Sequence, residues 1–176
     1  MDRPPEDFIG YWLFYAQRNV ASVFGDILKS CCLEQGKPYV VTPPQWGVLA
    51  LLHEHDGLTI GALGQARAID PPTVTGIVTR LEQSGLVERR HDLEDRRVVK
   101  VHLTGEGRDS MRFLPAAVAE FNDLMTQGIN EDEQRDFLAK LQKIIANLAA
   151  ARPGVADRFG LLPDFLRLDQ SEGGDR

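Results

Sequence analysis

A cluster of arginines flanks a short polar run near the middle of the chain, at Arg89, Arg90, Arg96 and Arg97. Guanidinium groups donate paired hydrogen bonds to phosphates, and basic side chains insert into narrow minor grooves of DNA. The residue types therefore favour contact with nucleic acid. Asp95 lies beside two of these arginines, and we expect its carboxylate to orient a guanidinium rather than to repel DNA.

The segment around these arginines has the pattern of a β-hairpin. Apolar and polar residues alternate over 99–103, as in a half-buried strand, and residues 86–90 are its predicted partner. The intervening run, 91–96, is too polar for a protein core. This pattern places Arg96 and Arg97 on a basic wing.

A helix is predicted immediately before the hairpin, over 71–84. Asp70 is a favourable N-cap, Pro71 fits the first helical position, and Gly85 fits the position after the helix. One stripe of this helix is apolar at helical spacing, so it faces a core. The opposite face can enter a major groove about 12 Å wide and contact bases and phosphates. Its residues are Pro72, Thr73, Thr75, Gly76, Thr79 and Arg80.

This helix alone does not separate a DNA-binding face from an ordinary solvated face, because surface helices normally have a polar side. The neighbouring elements favour DNA binding. A shorter helix is predicted over 59–66 with Thr59 as its cap, and the turn after it begins with Arg67, which we expect at a phosphate. The two helices and the basic hairpin predict a winged helix-turn-helix DNA-binding domain over 42–103.

The distribution of charge indicates a protein that needs specific DNA contacts. The whole chain carries a formal net charge of −6, yet residues 59–103 contain seven basic and six acidic side chains. Such a segment has modest non-specific affinity for DNA. No apolar run approaches the ~18 residues of a membrane span, and the acidic N-terminus is unlike a signal peptide. We therefore expect a cytoplasmic protein without membrane contact.

Long amphipathic segments flank the winged domain. We assign 8–35 and 104–150 to a helical dimerisation region, in which apolar seams follow the caps Thr104 and Asn130 and a kink is expected at Pro115. Packing within one chain is the alternative, but a two-fold dimer doubles the DNA site. The expected fold class is mostly α with a two- or three-stranded β-wing: a winged helix-turn-helix plus a helical dimerisation domain.

The end of the chain divides into two parts. Residues 153–168 are too apolar for a free tail, and we expect them to dock on the helical region. Residues 169–176 are polar and Gly-containing, and we expect them to be disordered.

These motifs resemble the signature of the MarR family of transcriptional regulators over roughly residues 8–150. The resemblance implies a homodimeric, triangular, mostly helical repressor that binds a pseudo-palindromic operator in double-stranded DNA. It implies one recognition helix and one wing per subunit, and a DNA affinity that a small ligand or oxidation changes. The matching runs are TPPQW at 42–46 with Leu63, PPTVTGIVTRLE at 71–82, GLVER at 85–89, DRR at 95–97, and LT at 103–104 with Gly107.

A small aromatic acid or a phenol is the effector that we expect. The resemblance places such a ligand between the first, second and fifth helices, where Arg18 can clamp a carboxylate through two hydrogen bonds. A solvated arginine or an inter-subunit salt bridge is the alternative. The expected ligand-binding residues are Trp12, Tyr15, Arg18, Trp46, His53, Met111 and Arg112.

Other chemistries have weaker support. A redox-responsive regulator acting through Cys31 and Cys32 is an alternative, although the peroxide-sensing members of the family carry their reactive cysteine where Tyr11 stands here. His53 and His55 are two apart on a helix and point in different directions, so no metal site is expected. No cofactor is expected, and no nucleophile elbow, phosphate loop or dinucleotide fingerprint indicates an enzyme. A protein-only dimerisation module leaves the arginine hairpin unexplained.

Overall fold

The structure, a computed structural model, describes residues 4–67 and 69–152. The predicted docking segment at 153–168 and the tail at 169–176 lie outside the described residues. Within the described ranges, no helix is both long enough and apolar enough to cross a membrane. The helices are α1 (Ile9–Glu34), α2 (Pro43–Glu54), α3 (Ile60–Arg67), α4 (Pro71–Gln83), α5 (Gly105–Ser110), α6 (Leu114–Thr126) and α7 (Glu131–Ala151), and the strands are β1 (Leu58–Thr59), β2 (Val87–His91) and β3 (Val99–Leu103).

Side-chain caps determine where five of these helices begin. In each pair, a side-chain oxygen accepts a backbone N–H at the first turn, which otherwise has no partner inside the helix. The predicted start of α4 at Pro71 is confirmed. The pairs are Thr42 with Gln45, Thr59 with Ala62, Asp70 with Thr73, Thr104 with Gly107, and Asn130 with Glu133.

The three strands form one antiparallel sheet in the order β1-β3-β2. Arg89 of β2 and Leu58 of β1 both pair with Val101 of the central strand. Val101 is fully buried, whereas the residues at the outer end of β2 are exposed. The sheet is therefore anchored at its base and extends outward as a wing, which confirms the predicted mostly helical fold with a three-stranded β-wing.

The core lies in the winged domain and is organised around α4. Val74, Ile77, Val78 and Leu81 of α4 are at most 3% exposed. Each such side chain contributes about 1.5–3 kcal/mol when it leaves water. The helix packs on α2 and α3 and against β2. The C-terminal half of α1 joins this core through Leu28, so α1 connects the winged domain to the remaining helices.

Large apolar side chains outside this core are exposed in the single chain. Trp12 and Phe14 of α1 are 59% and 54% exposed, and Phe137 and Leu148 of α7 are 58% and 61% exposed. Apolar surface of this extent on two helices marks an interaction face. These side chains of α1 and α7 thus have no cover within the described part of one chain.

The helix after the wing is interrupted rather than kinked. We expected one helix bent at Pro115, but α5 ends at Ser110 and α6 begins at Leu114. Between them, backbone N–H groups bond to carbonyls three residues earlier, including Phe113 N–H to the Ser110 carbonyl at 3.3 Å. Proline has no N–H, and its ring clashes with the carbonyl four residues back, which here belongs to Met111. The chain resolves this conflict by starting a new helix.

A close backbone contact at Gly107 generates a test of the fold. A methyl group placed there would lie 2.0 Å from the Leu86 carbonyl oxygen, which cannot move without distorting the base of the wing. Gly107→Ala should lower the free energy of unfolding by about 1–3 kcal/mol, measured by denaturant unfolding. Gly105→Ala is the matched control, since a methyl group there meets nothing within 4 Å. Equal stability of the two variants would contradict this packing.

Candidate nucleic-acid interface

The outward face of α4 carries the predicted groove-facing residues. Pro72, Thr73, Thr75 and Arg80 are exposed, and Gly76 and Thr79 are half-buried. All six lie on the side opposite the buried apolar stripe. Six of the nine residues predicted to contact DNA therefore lie together on one face of α4.

The threonine hydroxyls on this face already donate within the protein. Thr73 donates to the Asp70 carboxylate at 2.7 Å, Thr75 to the Pro71 carbonyl at 2.8 Å, and Thr79 to the Thr75 carbonyl at 2.8 Å. A hydroxyl has one proton, so Thr73 and Thr75 present a methyl group and acceptor lone pairs outward. Methyl groups suit contact with thymine methyls, and acceptors suit the amino groups of adenine and cytosine.

The wing tip is held by its own carboxylates. Asp92 accepts the backbone N–H groups of Glu94 and Asp95 at 2.9 and 3.0 Å, and it pairs with Lys100 of β3. Asp95 accepts the backbone N–H of Arg97 at 2.9 Å. Our expectation that Asp95 orients a guanidinium is wrong in its detail: in the described part of the chain its carboxylate bonds to the backbone N–H instead. These two aspartates fix the shape of the loop.

The two wing arginines are left available by this arrangement. Arg96 and Arg97 are exposed, and neither guanidinium has a hydrogen-bond or ion-pair partner among residues 4–67 and 69–152. The other two arginines of the cluster are engaged, Arg90 with Glu88 and Arg89 with Glu82. Within the described part of the chain, the cluster thus divides into two unpaired guanidinium groups at the tip and two paired ones nearer the base.

Arg67 lies against the backbone of α2. A methyl group at Gly47 would fall 2.4 Å from Nη2 of Arg67, so the guanidinium packs directly on this glycine. Gly47 is buried in the middle of α2. Whether Arg67 also meets a phosphate stays a prediction, but its contact with α2 depends on the missing side chain at Gly47.

The residues predicted to bind a ligand are dispersed in the single chain. Trp12 and Tyr15 are exposed on α1, and the guanidinium of Arg18 lies 5.6 Å from the ring centre of Phe14 rather than between those two rings. His53 is exposed on α2. Two others are half-buried and pack against the winged-domain core: Trp46 and Met111.

An open groove of about 780 Å³ runs between α1 and α6. Of the seven predicted ligand-binding residues, only Arg112 lines it. Its apolar floor was missed, although helical spacing marks most of it. Val23 and Ile27 are one turn apart on α1, Ala117 and Leu124 are two turns apart on α6, and Phe113 lies just before α6. Its other charged residues are Asp26, Glu34 and Glu120. The lining therefore has a net negative charge.

The two cysteines are in environments that oppose thiolate formation. Burial raises the pKa of Cys31, and the carboxylates of Glu34 and Glu120 raise it further. Burial also raises the pKa of Cys32, against a smaller opposing effect from the Val41 backbone. The thiolate is the nucleophile in thiol oxidation, so this site does not favour a redox sensor. Among the described residues no cluster of three metal-ligating side chains occurs.

The Asp92 contacts generate a pH-dependent prediction. Hydrogen bonding from Lys100, followed by the Asp95 and Glu94 backbone N–H groups, lowers the pKa of Asp92 to about 2. Ionised Asp92 therefore stabilises the wing above the usual aspartate pKa of about 3.9, and this stabilisation is lost as the pH falls towards 2. Asp92→Asn should speed amide hydrogen exchange in 92–98 at neutral pH. Its difference from the wild type should shrink between about pH 4 and pH 2, and identical exchange at neutral pH would refute the role of Asp92.

Known proteins resemble this chain in both sequence and fold. The model of the MarR family matches residues 41–99. The HTH-type transcriptional regulator TtmR of Methylorubrum extorquens is 33% identical over 151 residues, covering 84% of this chain and 69% of TtmR. A probable transcriptional regulator from Pseudomonas aeruginosa has a TM-score of 0.68 at 30% identity, covering 80% of this chain and 99% of that one. The transcriptional repressor CouR, solved on a 23-mer DNA duplex, has a TM-score of 0.68 at 26% identity, covering 79% and 93% of the two chains. The chain therefore belongs to the MarR family of DNA-binding, winged helix-turn-helix transcriptional regulators.

Proposed function

We propose that this protein is a repressor that binds a pseudo-palindromic operator as a homodimer. In each subunit α4 lies in a major groove and the wing lies in the adjacent minor groove. The observation that carries this proposal is that the guanidinium groups of Arg96 and Arg97 are exposed and have no partner within residues 4–67 and 69–152, on a wing whose aspartates bond to internal donors. The resemblance in fold to CouR, a repressor solved on DNA, supports the same placement.

The exposed apolar faces of α1 and α7 support the proposed homodimer. A second copy would cover Trp12 and Phe14 on one helix, and Phe137 and Leu148 on the other. A two-fold dimer also presents two α4 helices to two half-sites, which doubles the number of bases contacted. We assign 8–35 and 104–150 to this dimerisation region and 42–103 to DNA binding.

Arg97→Ala tests the wing. The variant should bind the operator at least tenfold more weakly at fixed salt, because each subunit then lacks one cation in the minor groove. The plot of log K against log salt concentration has a negative slope, and this slope should become shallower by about 0.9 for each phosphate that the protein no longer neutralises. Fluorescence anisotropy on a duplex selected from random sequences by the wild-type protein measures both quantities. Arg152→Ala is the control, since Arg152 is exposed at the end of α7 and lies outside both assigned regions. Wild-type affinity in Arg97→Ala would show that the wing does not contact DNA.

We further propose that a small aromatic molecule relieves repression by binding in the groove between α1 and α6. Its volume of about 780 Å³ lies within the range of ligand sites, and its floor is apolar. A neutral phenol suits this groove better than an aromatic carboxylate, because three carboxylates line it. Its one cationic side chain, Arg112, already pairs with Asp109 at 3.2 Å. An effector needs a coupling of only about 1–3 kcal/mol to relieve repression.

Filling the groove tests the effector site. Ala116 is an exposed lining residue of α6, so Ala116→Phe adds a ring without burying it in the core. The concentration of phenol that releases operator DNA should rise at least tenfold in this variant. The readout is anisotropy of labelled operator titrated with phenols and benzoates. A normal response in Ala116→Phe, combined with loss of response in Arg18→Ala, would place the site at the aromatic face of α1 instead.

A further inference from the structure

The guanidinium of Arg89 ties the wing to the recognition helix. Arg89 lies on β2, but its Nη1 donates to the Glu82 carboxylate and its Nη2 donates to the Thr79 hydroxyl at 3.0 Å. The backbone N–H of Arg89 also points at Glu82, 3.3 Å from Oε1. Thr79 and Glu82 are one turn apart on α4. One arginine side chain therefore holds the strand against two successive turns of the helix.

The charge of Arg89 is compensated inside the protein. The Arg89 side chain is 27% exposed, and that of its partner Glu82 is 37% exposed. Arginine offers donors in a planar fork, which fits this two-point contact and which lysine does not reproduce. By contrast, the guanidinium of Arg97 has no partner in the described part of the chain. The two arginines share a hairpin but differ in what they contact.

The hydroxyl of Thr79 makes two hydrogen bonds within the protein. Its hydroxyl donates to the Thr75 carbonyl at 2.8 Å and accepts from Arg89 at 3.0 Å. The hydroxyl has no further proton to offer a base. Thr79 thus serves as the point on α4 to which the wing is attached.

We propose that Arg89 is a positioning residue that sets the angle between the wing and α4, with Glu82 and Thr79 as its anchors. This role rests on the proposed placement of α4 and the wing in neighbouring grooves. The two elements must contact the same duplex at once, so a fixed angle determines whether Arg97 reaches the minor groove when α4 is seated. Arg89 itself does not contact DNA.

The test compares variants on two duplexes: the full selected operator, and one in which the outer base pairs beneath the wings are scrambled. Arg89→Ala should bind the full operator about tenfold more weakly, and Glu82→Gln should show a similar loss. The double variant should lose no more than either single variant, because both remove one interaction. The salt slope of Arg89→Ala should become as shallow as that of Arg97→Ala, because the displaced wing no longer carries Arg97 to the groove. Combining Arg89→Ala with Arg97→Ala should make the slope no shallower, because Arg89 itself releases no counterions.

The scrambled duplex separates positioning from a general loss of structure. The wild type should bind this duplex more weakly than the full operator, while Arg89→Ala should bind the two duplexes with nearly equal affinity. A variant that is only destabilised binds both duplexes more weakly and keeps the difference between them. That result would overturn the proposal. A salt slope that is shallower in the Arg89→Ala/Arg97→Ala double variant than in Arg97→Ala alone would also overturn it, because Arg89 would then be a phosphate contact itself.

Arg89→Lys keeps the proposal testable if Arg89→Ala does not fold. Lysine retains the positive charge but cannot reach Glu82 and Thr79 together. The proposal requires this variant to bind the full operator more weakly, with a salt slope as shallow as that of Arg97→Ala. Near-wild-type affinity would refute it. A wild-type protein that selects no sequence at all would instead refute the proposed DNA-binding role, and the two failures are therefore distinguishable.

Discussion

The burial of one stripe of α4 is the constraint on which the DNA-binding face depends. Val74, Ile77, Val78 and Leu81 are removed from water against α2, α3 and the sheet. At about 1.5–3 kcal/mol for each fully buried side chain, this packing outweighs any single polar contact of the helix. The stripe fixes the rotation of α4 about its own axis, and the opposite face is exposed as a consequence.

The acidic residues of the winged domain explain how a protein of net charge −6 can contact DNA. Asp92 and Asp95 shape the wing loop, Glu82 neutralises Arg89, and Asp70 caps α4. Each of these carboxylates faces a donor or a cation within the protein. The guanidinium groups at the wing tip have no partner among the described residues, so local pairing matters more than the sum of charge over the chain.

The sequence predicted local features and missed those that depend on three-dimensional proximity. The cap at Asp70, the α4 stripe and the wing strands followed from patterns of a few residues, and they are confirmed. The contact of Arg89 with Thr79 joins residues ten apart across a turn, and no periodicity reports it. The lining of the α1–α6 groove likewise depends on how two helices far apart in sequence meet. Pro115 predicted where the helix is disturbed, but it did not predict that the helix is interrupted rather than kinked, because a proline can either bend a helix or end it.

The break between α5 and α6 places a short non-α-helical segment, residues 111–113, at the connection between the winged domain and the outer helices. We call this segment the joint. A continuous helix resists bending, since every turn is held by bonds to the fourth preceding residue. Residues 111–113 are instead held by bonds to the third preceding residue, and these can rotate with less distortion of their neighbours. The groove begins beside this joint, at Arg112 and Phe113. A molecule bound in the proposed groove would therefore lie next to the point where the winged domain joins the outer helices.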